Sequence, residues 1–204
     1  MNPAIGQTAP DFTVHDQDGK PVTLSALKGK KVVLYFYPKD MTPGCTLEAC
    51  SLRDHYKTFQ KQGYVVLGVS SDDEKSHRKF IEKEKLPFQL LADTDKKVHG
   101  LYGTWVEKSM YGRKYMGTAR VTFVIDERGI IENVITQVNT KDHANQILSG
   151  SSTAVPTKTK PAAARKAPAL KKKVAAPKKP AAKKKVQARK SAPKKSTATR
   201  KKKK

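Results

Sequence analysis

The acidic residues of this chain stop short of its end, and that boundary constrains folding more than any other feature. All 18 Asp and Glu lie within residues 1–150 with 21 of the 42 Lys and Arg, so this stretch carries a net charge of only +3. Residues 151–204 hold the other 21 basic residues and no acid. They contain no aromatic residue, and proline recurs at 156, 161, 168, 177, 180 and 193. Such a segment lacks the apolar surface needed to offset its ordering entropy, so residues 151–204 are expected to be a disordered, low-complexity tail. Residues 1–150 suit one globular domain, long enough to bury a core.

Within that domain the pattern alternates between strands and helices. "DFTVHDQDGKPVTL" predicts a hairpin turning at Asp18-Gly19. "KKVVLYFYP" is a continuous β-branched and apolar run, expected as a buried central strand ended by Pro38. A helix is expected from Pro43 to about Gln60, then a second buried strand, "YVVLGVSS". "DDEKSHRKFIEKEK" opens with acids and places Phe80 and Ile81 on an otherwise charged helix. After "QLLAD" come a short helix near "KKVHGLYG" and an irregular stretch around Trp105. "RVTFVIDERGIIENVITQV" predicts a hairpin at Glu127-Arg128-Gly129, and "TKDHANQILSG" a closing helix capped by Thr140 and stopped by Gly150. This order predicts a thioredoxin-like α/β fold, a central mixed sheet flanked by helices.

No run approaches the roughly 18–20 apolar residues of a membrane span. "MNPAIGQTAPDF" lacks the basic region and apolar core of a signal peptide. An intracellular, reducing compartment is therefore expected, where a close cysteine pair points to catalysis or metal binding rather than a structural disulfide. Cys45 and Cys50 are the chain's only cysteines. Metal binding fits poorly, because His15, His55, His77, His99 and His143 sit singly, without ligand spacing, and read as structural or surface residues.

Thr42 fits the N-cap and Pro43 the first helical position, so Cys45 falls in the first turn. Unpaired N–H groups and the positive end of the helix dipole favour an anion there, and the thiolate is the reactive form of cysteine. Cys45, Ala49, Leu52, Tyr56 and Phe59 form the core-facing stripe; Cys50 lies off it. An intact helix separates the two Cα atoms by roughly 8.7 Å, and a disulfide needs less than about 7 Å. Either the cysteines never pair or the first turn unwinds. The competing reading makes both small buried hydrophobes.

"YFYPKDMTPGCTLEAC" resembles the peroxiredoxin active-site segment PxxxTxxC, filled here by Pro38, Thr42 and Cys45. A second cysteine five residues on makes it similar to the PrxQ subfamily, also called bacterioferritin comigratory proteins. The resemblance runs from residue 4 to about 149 and includes "APDF" and "GTARVTFVIDERG". It implies a monomeric, thioredoxin-like, thiol-dependent hydroperoxidase needing no metal or organic cofactor. It also implies Cys45 as the peroxidatic cysteine, Cys50 as the resolving one, and Thr42, Pro38 and Arg120 in the pocket, with thioredoxin as reductant. Val106 stands where a glycine is expected, and the tail is foreign to the family. Glu48, Trp105 and Tyr37 are secondary candidates, Glu48 as a partner for Arg120 or an ordinary helix-start acid, Trp105 and Tyr37 as pocket wall rather than chemistry. By residue type alone, Arg120 reads equally as a surface arginine and Thr42 as an N-cap.

The tail resembles the arms of linker histones and bacterial histone-like proteins. Its clusters Lys171, Lys172, Lys173, Lys178, Lys179, Lys183, Lys184 and Lys185 suit sequence-independent contact with nucleic-acid phosphates, without aromatic platforms for single strands. The alternatives are a solubilising segment or a nuclear-import signal. For the whole chain, a peroxidase tethered to DNA in the cytoplasm or nucleoid, or in a eukaryotic nucleus, competes with two other classes. One is a thiol–disulfide oxidoreductase, which would want a CxxC pair; the other is a DNA-compacting protein with an inert domain.

Overall fold

A computed structural model describes residues 3–110 and 112–150. The basic tail expected at 151–204, with its lysine clusters, lies outside the described residues. The first hairpin joins β1 (Thr13–His15) to β2 (Pro21–Thr23), with Gly19 supplying φ = +76° in the turn. A 3-10 turn, Leu24–Leu27, leads into β3 (Lys31–Phe36). Then follow α1 (Pro43–Asp54), α2 (Tyr56–Lys61), β4 (Tyr64–Ser70), α3 (Glu74–Glu84), β5 (Gln89–Ala92) and α4 (Lys97–Leu101). β6 (Trp105–Met110), β7 (Arg113–Thr118), β8 (Val121–Ile125), β9 (Ile131–Ile135) and α5 (His143–Leu148) complete the described domain.

The main sheet has the order β5-β4-β3-β8-β9, with β3, β4 and β5 parallel and β8 and β9 antiparallel to their neighbours. β3 sits at its centre because both faces of its sequence are apolar. Val32, Leu34 and Phe36 pack with Tyr102 and Phe123 on one side. Val33 and Tyr35 pack on the other side with Ala49 and Leu52 of α1, Phe59 of α2, Phe80 of α3 and Ala144 and Ile147 of α5. This is the expected thioredoxin-like arrangement. Among the described residues no helix is long and apolar enough to cross a membrane.

Three local expectations are corrected. The helix expected to run to Gln60 breaks at His55, where φ is −102° and ψ 6°. The His55 ring, through Nδ1, bonds the Ser51 carbonyl at 3.0 Å, the acceptor that a continuing helix would give to the His55 amide. The stretch around Trp105 is an antiparallel hairpin, β6–β7, paired from Trp105↔Thr118 to Met110↔Arg113. Most of β7 is exposed, so it lacks the apolar alternation that announces a strand. The closing helix begins at His143 with Asp142 at its N-cap, not at Thr140. The β8–β9 turn at Glu127-Arg128-Gly129 is as expected, Gly129 having φ = +83°.

Candidate active site

The candidate residues gather at the junction between the end of β3 and the start of α1. The connecting loop is pinned by a buried polar cluster. Asp40 accepts from the Tyr37 hydroxyl at 2.7 Å and pairs with His77 Nδ1 of α3 at 2.9 Å. The other ring nitrogen of His77 lies 3.2 Å from the Leu91 carbonyl, and the Asp40 amide donates to Asp72 at 2.8 Å. Burial opposes the Asp40 charge, yet the His77 and Tyr37 contacts hold its carboxyl below the ordinary carboxylate range. This support keeps Met41 in a left-handed conformation, φ = +55°; such a backbone costs on the order of 1 kcal/mol without a glycine. Tyr37 is thereby a loop anchor.

Thr42 occupies the N-cap position of α1, as expected, but its hydroxyl does not cap the helix. It donates to the Lys39 carbonyl at 3.0 Å instead. The first-turn amides of α1 are thus left without a side-chain cap, and the Thr42 oxygen keeps lone pairs to accept with. Pro38 is half-buried at the start of the same loop.

Cys45 is 1% exposed and packs with Val33, Tyr35 and Ala49. Arg120, immediately before β8, reaches across to it. Its Nη2 donates to Cys45 Sγ at 3.3 Å, while Nη1 donates to Glu48 Oε2. Burial works against the Arg120 charge, but Glu48 and Cys45 outweigh it and raise the guanidinium above its ordinary value. A Cβ at Gly44 would meet Arg120 Nη2 at 3.4 Å, an ordinary contact. The guanidinium fork bridges a thiol and a carboxylate on successive turns of one helix, a geometry an ammonium cannot reproduce.

Glu48 is wholly buried, and this burial pushes its carboxyl up to about 7 against the pull of Arg120. Its second oxygen, Oε1, has no hydrogen bond and lies 3.8 Å from His143 Nε2. The His143 ring is fixed by Gln146 Oε1 at 3.2 Å and the Thr122 hydroxyl at 2.8 Å. The Gln146 oxygen accepts from Nδ1–H, so Nε2 carries the lone pair and accepts from Thr122. Burial, aided by the Arg120 charge, lowers His143 to about 4, so its ring is neutral at pH 7.

Cys50 points elsewhere. Both cysteines are free, and α1 is continuous between them. The Cys50 thiol donates to Glu84 Oε2, at the end of α3, at 3.7 Å. Burial and the Glu84 charge raise this thiol above its ordinary value.

The AhpC/TSA family model matches residues 5–134. Peroxiredoxin Bcp of Bacillus subtilis is 46% identical over 148 residues, covering 72% of this chain and 94% of that protein. Peroxiredoxin Bcp of Escherichia coli is 45% identical over 150 residues, covering 73% and 96%. The chain is a peroxiredoxin. A solved structure of Xanthomonas campestris bacterioferritin comigratory protein, described for its alkyl peroxide reduction activity, superposes with a TM-score of 0.65 at 35% identity. That match covers 68% of this peroxiredoxin and 88% of the Xanthomonas chain. The family's thiol-dependent peroxidase activity belongs to this chain as well.

In this peroxiredoxin, sequence reasoning left several residues of the site unread. Glu48 was a secondary candidate, but only the fold shows it buried under Arg120. His143 belongs beside it, brought there by α5, and no motif announces that. Lys108 comes in on the β6–β7 hairpin and donates to the Thr118 carbonyl, two residues before Arg120. Burial and the Arg120 charge hold its ammonium below the usual lysine value, opposed by Cys45. Trp105 packs edge-on against His99, with ring centroids 5.8 Å apart, and His99 in turn pairs with buried Asp93 at 2.5 Å. Trp105 therefore serves as a wall of the hairpin.

Proposed function

We propose that Cys45 attacks the hydroperoxide and that Cys50 resolves the product. The observation that carries this reading is the 3.3 Å contact between Arg120 Nη2 and Cys45 Sγ at the uncapped start of α1. Arg120 and the first-turn amides offer donors where charge develops as the O–O bond breaks. The Thr42 oxygen accepts from the peroxide O–H, because its own proton is committed to Lys39. Pro38 shields the pocket from water. One peroxide oxygen becomes the Cys45 sulfenic acid and the other leaves as hydroxide or alkoxide.

Cys50 then displaces water from the sulfenic acid to give a Cys45–Cys50 disulfide. On an intact helix their Cα atoms stand about 8.7 Å apart, so the first turn of α1 unwinds for this step. Pro43 and Gly44 sit in that turn, and glycine is a weak helix former. Thioredoxin reduces the disulfide by thiol exchange, and the enzyme works as a monomer. The test is oxidation of a reconstituted thioredoxin system by hydrogen peroxide and by an alkyl hydroperoxide. Turnover with thioredoxin supports the reading; consumption with other thiols alone removes thioredoxin from it.

The tail supports a second element of the proposal, a non-specific tether to DNA that keeps the peroxidase near the nucleoid. It combines 21 positive charges with no acid in 54 residues. Full-length protein should bind duplexes of any sequence. Its log K should fall with log salt at about −0.9 per phosphate neutralised, and residues 1–150 alone should lose this affinity and keep peroxidase activity. Equal binding by both would remove the tether.

A further inference from the structure

Resolution by Cys50, on which this inference rests, requires the thiol to lose its proton, because the thiolate is the attacking form. The surroundings of Cys50 resist that loss. It is partly buried, and the charged groups facing it are Arg53 and Asp54 on α1 and Glu84 on α3. Only Arg53 favours ionisation; burial, Glu84 and Asp54 oppose it. The same residue that opposes ionisation is the hydrogen-bond acceptor of the thiol: Cys50 Sγ donates to Glu84 Oε2 at 3.7 Å.

The contact is held in place independently of that bond. Arg53 Nη1, one turn after Cys50, donates to the Glu84 backbone carbonyl at 2.7 Å. Ala49 and Leu52 of the same part of α1 are wholly buried. Ser51 Oγ accepts from the Ala144 amide at 3.2 Å. The anchors of the first turn sit on Cys45 itself, which is 1% exposed and bonded by Arg120 Nη2; around it Pro43 and Leu47 are exposed and Gly44 is half-buried. Unwinding therefore falls on the first turn and moves Cys45, while Cys50 stays beside Glu84.

We propose that Glu84 is the catalytic base of the resolving step. As Cys50 Sγ attacks Cys45 Sγ, the S–S bond forms and the S–O bond of the sulfenic acid breaks. The Cys50 sulfur is oxidised and the Cys45 sulfur reduced. The S–O electron pair leaves with the oxygen, the Cys50 proton passes to the Glu84 carboxylate, and the departing hydroxide takes up a proton as water. Glu84 returns its proton to solvent, so the net change is one disulfide and one water. In the reduced protein the same carboxylate keeps Cys50 protonated, which directs oxidation to Cys45 alone.

The test uses full-length protein with Glu84→Gln, which keeps the side-chain shape and the backbone carbonyl that Arg53 grips. Reduced enzyme is mixed with one equivalent of hydrogen peroxide, quenched and alkylated. Sulfenic acid and Cys45–Cys50 disulfide are then quantified by mass spectrometry from pH 6 to 9. Sulfenic acid formation should be unchanged. Disulfide formation should slow about tenfold or more at pH 7, below the full range for a positioned base because thiols also ionise unaided. The deficit should shrink as pH rises and Cys50 ionises on its own. In Glu84→Ala, added acetate should restore part of the rate, an effect a purely structural carboxylate would not produce. Disulfide formation in Glu84→Gln as fast as wild type, or faster, overturns the proposal. A wild-type protein that yields no Cys45–Cys50 peptide overturns the resolving role of Cys50 itself, and with it the base.

Discussion

Arg120 and Cys45 are 75 residues apart in the chain, and Arg120 Nη2 donates to Cys45 Sγ at 3.3 Å while its other terminal nitrogen holds Glu48. One guanidinium thus sets both the charge beside the thiol and the position of that charge. A lysine could supply the charge but could not span the two partners. Arg120→Ala should lower the second-order rate with hydrogen peroxide about a hundredfold, comparable to deleting one preorganised donor. Arg120→Lys should recover only part of the loss. Rapid-mixing kinetics on both variants decide it.

Glu48 anchors Arg120 from below. Its carboxyl, pushed up to about 7 by burial, needs shape and hydrogen bonding more than charge. Glu48→Gln should therefore stay within a few-fold of wild type. Glu48→Ala should lose about tenfold, because an unanchored Arg120 no longer keeps Nη2 on the sulfur. Equal losses in both variants would show that the charge is what matters.

The contrast between these two residues shows what the chain discloses before it folds. Cys45, Thr42 and Pro38 are legible because they are local: proline and threonine mark a helix start, and cysteine falls in its first turn. The buried strand β3 is legible because both of its faces are apolar. Arg120 is recognisable by resemblance, but its charge alone would fit a surface position. Glu48 looks like an ordinary helix-start acid until β8 lays Arg120 over it. His143 reaches Glu48, and Glu84 reaches Cys50, only through the packing of α5 and α3 on α1, and no spacing encodes that. The β6–β7 hairpin is illegible because its exposed residues lack alternation, and the break at His55 because a side chain takes the place of one backbone bond.

His143 makes stability depend on pH. Its folded value of about 4, lowered mainly by burial, lies below the ordinary 6.5. Its contribution is therefore fully present above pH 6.5 and is lost as pH falls through 4. The shift corresponds to about 3 kcal/mol. Glu48 runs the other way: raised from 4.5 to about 7, it stabilises the fold below 4.5 and loses that contribution as pH climbs through 7. Denaturant unfolding of His143→Gln should show a flatter decline between pH 6.5 and 4 than wild type. An unchanged slope would mean that the ring protonates freely in the fold.

The loop before Cys45 depends on Asp40. It and His77 are almost wholly buried and hold one another and Tyr37. Asp40→Ala leaves Tyr37 and His77 with only the long 3.4 Å contact between them in place of their shared acceptor, and should cost about 3 kcal/mol or more of stability. Peroxidase activity should fall as well, because Met41 and Thr42 lose their support. Urea unfolding and a rate assay on the same protein separate the two effects.

Unwinding of the first turn of α1 can be followed by amide exchange. Residues 43–47 should exchange faster in the oxidised protein than in the reduced one, with residues 49–54 nearly unchanged, because the anchors of Leu52 and Arg53 persist. Equal protection of residues 43–47 in both states would mean that Cys45 pairs outside its own chain.

The most direct measurement pairs two variants, Cys45→Ser and Cys50→Ser, with a sulfenic-acid trap and one equivalent of hydrogen peroxide. Cys45→Ser should consume no peroxide. Cys50→Ser should consume one equivalent at the wild-type rate, leave Cys45 trapped as its sulfenic acid adduct, and form no intramolecular disulfide. Peroxide consumption by Cys45→Ser at the wild-type rate would contradict the assignment of Cys45 as the attacking thiol.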